Sequence, residues 1–89
     1  MATATPLPGA SPNPNALKFG LDIRLPDTIS FRSQGEAEAA GDRFATTVLG
    51  VEGVVSLFAT NDFVTVTRGG DVDWAPIIEA VTAAAAAHL

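Results

Sequence analysis

The chain has 89 residues, 47% of them apolar and 17% charged, a balance that favours one packed core and leaves too little length for two. Its net charge of −5, with only Lys18, Arg24, Arg32, Arg43 and Arg68 as cations, provides no clustered basic stripe and argues against a nucleic-acid partner. The absence of cysteine excludes disulfides, a thiol nucleophile and thiolate ligation of a metal by this chain.

Residues 1–14 hold four of the six prolines among Ala, Thr, Ser and Gly, without a helical or strand period. They read as a flexible, Pro-rich N-terminal arm that becomes extended near Pro12 and Pro14. Ser11 and Asn13 each precede a proline and are pushed towards extended geometry, so PNPN presets the lead into the first strand. The opening MATATPLPGA has neither a basic region nor an apolar run, and no stretch of the sequence approaches the roughly 20 apolar residues that span a bilayer. The expectation is therefore a cytoplasmic protein with no membrane partner, whose single domain runs over residues 15–89.

Leu17, Phe19, Leu21, Ile23 and Leu25 alternate with Lys18, Gly20, Asp22 and Arg24, the pattern of a half-buried strand with one wet face. Pro26-Asp27 suits a turn, and Thr28 to Phe31 is short and β-prone, which predicts a hairpin partner for that first strand. Ser33 and Glu36 have the spacing of a capping box, ahead of the helix-forming EAEAA. Gly41 interrupts this stretch, and Asp42 can cap a segment with Phe44, Val48 and Leu49 as its core stripe, giving one kinked helix or two short ones.

Gly50 and Gly53 bracket the helix exit, and Val54 to Ala59 is apolar and β-prone. Asn61-Asp62 then makes a tight turn into the alternating Phe63 to Arg68, a hairpin. After Gly69-Gly70, Asp71 or Asp73 can cap a last helix from Trp74, with Pro76 in its first turn. Trp74, Ile77, Ile78, Val81, Ala84 or Ala85, and His88 share one helical face, and the alanines from Ala83 to Ala87 add helix propensity. The expected order is ββαββα: an α+β, two-layer sandwich with a four-stranded, mainly antiparallel sheet and its helices on one face.

No set of residues in this order assembles a catalytic site. Asp71 and Asp73 are too few for the oxygen shell of calcium or magnesium, and Glu36 and Glu38, two apart on a helix, point in different directions. His88, the only histidine, lies next to the C-terminus, where its cationic form suits a helix end. GxSxG and phosphate-loop patterns are absent, so the chain is not expected to be an enzyme, and no catalytic or metal-ligating residue is assigned. If Val64 and Val66 face the core, the same alternation sends Phe63, Thr65 and Thr67 outward, beside Lys18, Asp22 and Arg24. Phe63 is then an aromatic anchor on a polar sheet face, unless the C-terminal helix or the arm covers it.

NPNALKF from Asn13 to Phe19, GVVSLF from Gly53 to Phe58, DFVTVT from Asp62 to Thr67, and Asp73-Trp74 occur here in order, followed by a short helix ending in HL. Together they resemble the N-terminal domain of the Nfu/NifU-like iron–sulfur cluster scaffold family, over residues 11–89, as a stand-alone copy. In that family a second domain with a Cys-x-x-Cys motif usually follows, and paired subunits hold a 4Fe–4S cluster on its thiolates. This chain has no cysteine, so cluster ligation does not carry over and no cofactor is expected on it.

The resemblance implies a non-catalytic module that contacts iron–sulfur assembly or client proteins. Asn13, Pro14, Asn15, Lys18 and Phe19 match the first signature, and Asp62, Phe63, Thr65 and Trp74 the later ones. With the outward alternation, the expected partner-binding set is Asn13, Asn15, Lys18, Asp62, Phe63, Thr65 and Thr67. The module is expected to be a monomer or weak homodimer. Two other readings stand beside it. One is a structural domain of unrelated role that self-associates, an exposed edge strand pairing two copies. The other is weak iron binding through His88 and scattered carboxylates, which lack facial-triad spacing.

Overall fold

The computed structural model describes residues 2–7, 15–70 and 72–89. Strands β1 (Ala4–Pro6), β2 (Ala16–Leu21) and β3 (Ile29–Phe31) lead into helices α1 (Gln34–Ala39) and α2 (Arg43–Leu49). The hairpin of β4 (Val54–Thr60) and β5 (Phe63–Arg68) follows, then α3 (Trp74–His88). All five strands form one antiparallel sheet in the order β1-β2-β5-β4-β3, and the helices cover one of its faces.

The α+β architecture is the expected one, with two differences. The sheet has five strands instead of four, and the extra strand, β1, falls in the stretch expected to be a flexible arm. Three residues are too few to show a period of two, but Ala2 and Ala4 are small enough to be buried between the sheet and α3. Ala2 N–H donates to the Ala85 carbonyl at 3.3 Å, and Thr3 N–H to Asp22 Oδ1 at 2.8 Å. Residues 8–14, including the PNP of the opening signature, lie outside the described residues.

The second difference is that β3 pairs with β4 and not with β2. The alternating pattern runs on to Leu25, but β2 ends at Leu21, opposite the β4–β5 turn, where its neighbour β5 ends as well. The chain then crosses the end of the sheet, held by Leu21 N–H to the Asp62 carbonyl (2.7 Å) and Leu25 N–H to the Asn61 carbonyl (2.6 Å). It reaches the far edge at β3, so Pro26-Asp27 sits in a crossover and not in a hairpin turn. As one of the two expected alternatives had it, Gly41, with φ +73°, separates two short helices.

The core follows the register. Pro6, Phe19, Val64, Ala59 and Ile29 form one cross-strand row, and Leu17, Val66, Leu57 and Phe31 the next. Ala37, Phe44, Ala45, Val48 and Leu49 close over them from α1 and α2, and Ile77, Val81, Ala84 and Ala85 from α3.

Capping is as the spacing predicts. Ser33 Oγ accepts from Glu36 N–H, although the Glu36 carboxylate accepts from Arg32 N–H, one residue before the usual capping-box partner. Asp73 accepts from Ala75 N–H and caps α3. Asp42 Oδ1 accepts from Ala45 N–H at 2.9 Å, and its carbonyl accepts from the Thr46 hydroxyl at 2.7 Å. Asp42→Ala keeps the carbonyl bond and loses the cap. Urea unfolding should show it less stable by about 1 kcal/mol, and an unchanged midpoint would mean that α2 needs no side-chain cap.

Candidate functional site: the open face of the sheet

Alternation places one set of side chains under the helices and the other on a face that no described helix covers. One row of that open face runs Lys18, Thr65, Phe58, Ser30, with Leu7 joining at the β1 edge, where its N–H donates to the Lys18 carbonyl at 2.8 Å. The next row runs Thr5, Gly20, Phe63, Thr60, and the Thr60 hydroxyl lies 2.6 Å from that of Thr28. Thr67 sits one row the other way, between Ala16 and Ser56.

Two aromatic rings occupy the middle. Phe58 and Phe63 have centroids 6.2 Å apart, tilted by 46°, and Phe58 is 39% exposed. The Lys18 ammonium lies 4.2 Å from the Phe63 ring centroid. Such a half-buried cation–π contact contributes about 0.5–2 kcal/mol and chiefly fixes where the charge stands. Leu7, 39% exposed, extends the apolar area to the β1 edge.

Four of the seven expected residues, Lys18, Phe63, Thr65 and Thr67, share this face. Asp62 is exposed in the β4–β5 turn at one end of it. Asn15 lies at the opposite end, where its carbonyl accepts from Arg68 N–H at 2.8 Å, and Asn13 lies outside the described residues. Asp22 and Arg24, expected on the open face, belong instead to the crossing segment, because β2 stops at Leu21.

Sequence reasoning missed Phe58 and Leu7. The signal for Phe58 was present: a two-residue Asn61-Asp62 turn pairs Thr60 with Phe63 and so Phe58 with Thr65, on the same face. The turn itself is held by Asn61, which adopts φ +52°. Nothing in the sequence marks Leu7, which depends on the pairing of β1.

Elsewhere the chemistry is sparse. Among the described residues no group of three or more His, Asp or Glu side chains is placed to hold a metal. His88 is exposed, its Nε2 3.5 Å from the Thr47 hydroxyl. A crevice of about 230 Å³ under the crossing segment is lined mainly by Leu25, Pro26, Ile29, Phe44, Ala59 and Leu89, and Asp42 at its rim is engaged in capping α2.

Comparison with known proteins places these features in context. The family model for the scaffold protein Nfu/NifU N-terminal region matches residues 9–89, so β1 lies ahead of the matched part. A NifU-like protein of Schizosaccharomyces pombe is 39% identical over 85 residues, covering 89% of this chain and 31% of its own length. A mitochondrial NifU-like protein of Arabidopsis thaliana is 34% identical over 65 residues, which are 73% of this chain and 23% of that protein. The chain thus spans about a third or less of the curated relatives it matches. The crystal structure of protein SAV1430 from Staphylococcus aureus superposes with a TM-score of 0.69 at 25% identity, covering 92% of this chain and 93% of that one.

Proposed function

This chain belongs to the Nfu/NifU scaffold N-terminal family, and from that premise we propose that it is a non-catalytic interaction module in iron–sulfur cluster assembly or delivery. The open sheet face is its docking surface for an assembly or client protein. The observation that carries the proposal is the exposed Phe58 beside the half-buried Phe63, with Lys18 held over the second ring, on a sheet face that no described helix covers. Aromatic side chains are enriched in the centres of protein interfaces.

The cluster is cargo in this reading. Thiolates are what hold such clusters, and a chain without cysteine leaves that ligation to another protein or another domain. The scattered carboxylates and His88 do not converge as a substitute among the described residues. The protein isolated after expression should accordingly contain neither iron nor acid-labile sulfide. The cytoplasmic location belongs to the same proposal. No described helix is long and apolar enough to cross a membrane, while plant relatives carry the name mitochondrial, so subcellular fractionation is the measurement that decides it.

Affinity capture from native lysate with mass spectrometry tests the proposal. The wild type should enrich iron–sulfur assembly or client proteins, and Phe63→Ala should weaken that capture about tenfold, the typical effect of removing one aromatic anchor. Lys18→Ala should weaken it less. Capture of no such protein, at a sensitivity shown to detect one, would overturn the proposal.

A further inference from the structure

We propose that the outer edge of β2 is a docking site for an extended segment and that β1 is its resident occupant. A segment of a second protein, with small residues at two alternate positions, exchanges with β1 there. The site lies at the border of the sheet and does not depend on what the open face binds.

The occupant now seated on that edge shows what fits. Residues 2–7 alternate strictly, with Ala2 and Ala4 buried and Pro6 half-buried on the helix side, while Thr3, Thr5 and Leu7 are exposed. Ala2 N–H donates to the Ala85 carbonyl at 3.3 Å, so the backbone of α3 passes directly over this end of the segment. That leaves its first two inward positions room for little more than a methyl group.

The rest of the recognition is by backbone. Leu7 N–H donates to the Lys18 carbonyl at 2.8 Å, and antiparallel bonds alternate, so Thr5 opposite Gly20 is the other bonded position. Pro6, opposite Phe19, falls between the two and forgoes only an outward N–H, which is why a proline is accepted there. Past the end of β2, Asp22 Oδ1 takes the place of a strand carbonyl and accepts from Thr3 N–H at 2.8 Å. Main-chain bonds combined with room for alternate side chains are how sheet edges take up extended peptides.

Exchange is open to β1 because little holds it. It pairs with β2 over three residues, whereas β2 pairs with β5 over five and so stays in the sheet when β1 leaves. The side chains it buries fully are two alanines, set against the backbone entropy of ordering residues 2–7. Elements with few buried apolar contacts open locally, without unfolding the rest.

The test uses the full chain, labelled with nitrogen-15. In the wild type the Leu7 amide should exchange with solvent at least about tenfold faster than that of Val64, through opening of β1 alone. Equal protection would make β1 part of the cooperative core and overturn the proposal. Ala4→Glu puts a carboxylate at a buried position and should displace β1 from an otherwise folded chain. The peptide MATATPL, residues 1–7 of this chain, should then shift the amides of Lys18, Gly20 and Ala85 in the variant. The wild type should need about threefold more peptide, because its own segment competes at an effective concentration of about millimolar. The same peptide carrying Ala4→Leu should bind at least about tenfold more weakly.

A variant that leaves the peptide unbound would overturn the proposal, as would a leucine peptide that binds equally well or an Ala4→Glu chain that loses its folded spectrum. Shifts of the variant's amides with its own concentration, before any peptide is added, would assign the bared edge to pairing between copies and also overturn it. Phe63-dependent capture from lysate tests the open face separately, and either result can fail without the other.

Discussion

Phe19→Ala is expected to lower folding stability by about 3–5 kcal/mol, the range for truncating a fully buried aromatic. Phe19 is completely buried, in the middle of the row that joins Pro6, Val64 and Ala59. Its cross-strand neighbours, Pro6 and Val64, are held by the sheet register and are too short to swing into the space left behind. The cavity would persist and add to the lost transfer energy. An 89-residue domain has about 4–13 kcal/mol to lose. Urea unfolding followed by circular dichroism should therefore show either a strongly lowered midpoint or no cooperative transition. A loss below about 1 kcal/mol would show that the site is not the tightly packed centre of the core.

Gly53→Ala should cost about 2–4 kcal/mol, from two separable sources. Gly53 has φ +92°, outside the comfortable range of an L side chain, and a Cβ there would lie 2.8 Å from Val72 Cβ and closer still to both of its methyl groups. Neither residue is free to withdraw. The Gly53 carbonyl accepts from Gly69 N–H at 2.8 Å, while the Val72 carbonyl accepts from Arg68 Nη1, whose guanidinium stacks 4.9 Å above the Trp74 ring at the start of α3. Shortening Val72 to Ala removes the clash with the methyls but not the backbone strain. The double variant Gly53→Ala/Val72→Ala should thus be more stable than the sum of the single changes implies, by about 1 kcal/mol of coupling. Strict additivity in a double-mutant cycle would mean that strain alone accounts for the cost.

How much of this could be read beforehand varied with the length of the pattern. The Asn61-Asp62 hairpin, the caps at Ser33, Asp42 and Asp73, and the Ile77, Val81, Ala84 and Ala85 stripe of α3 each have a local cause, and the structure has each of them, while His88, expected on the same helical face, is exposed. Four of the seven residues expected to bind a partner were placed on one face by alternation alone, since a period of two fixes the face once Val64 and Val66 are assigned to the core. Topology was harder. Whether Thr28 to Phe31 turns back on β2 or crosses to β4 depends on competition between two long-range pairings, and Pro26-Asp27 is compatible with either. Ile23 and Leu25 continue the alternation beyond the end of the partner strand, a period that outlasts its hydrogen bonds. Phe58 lies inside the continuous apolar run VVSLFA, whose composition does not say which side a residue faces, so its face is legible only through the register that the Asn61-Asp62 turn sets.

The sheet has two outer edges, and each is formed by a strand of three residues, one of them containing Pro6. β4 extends beyond β3 at Val54 to Ser56, but there the register slips between Val54 and Ser56 at the 45%-exposed Val55, so the uncovered part of its edge is irregular. A stray β-strand approaching either side thus meets at most three regular rungs before the ladder ends or buckles. Short and broken edges are a known defence against runaway strand-on-strand growth. The consequence is resistance to amyloid-like aggregation: the open face carries the exposed Phe58 and the half-buried Phe63, while the borders of the sheet are poor templates for fibril growth.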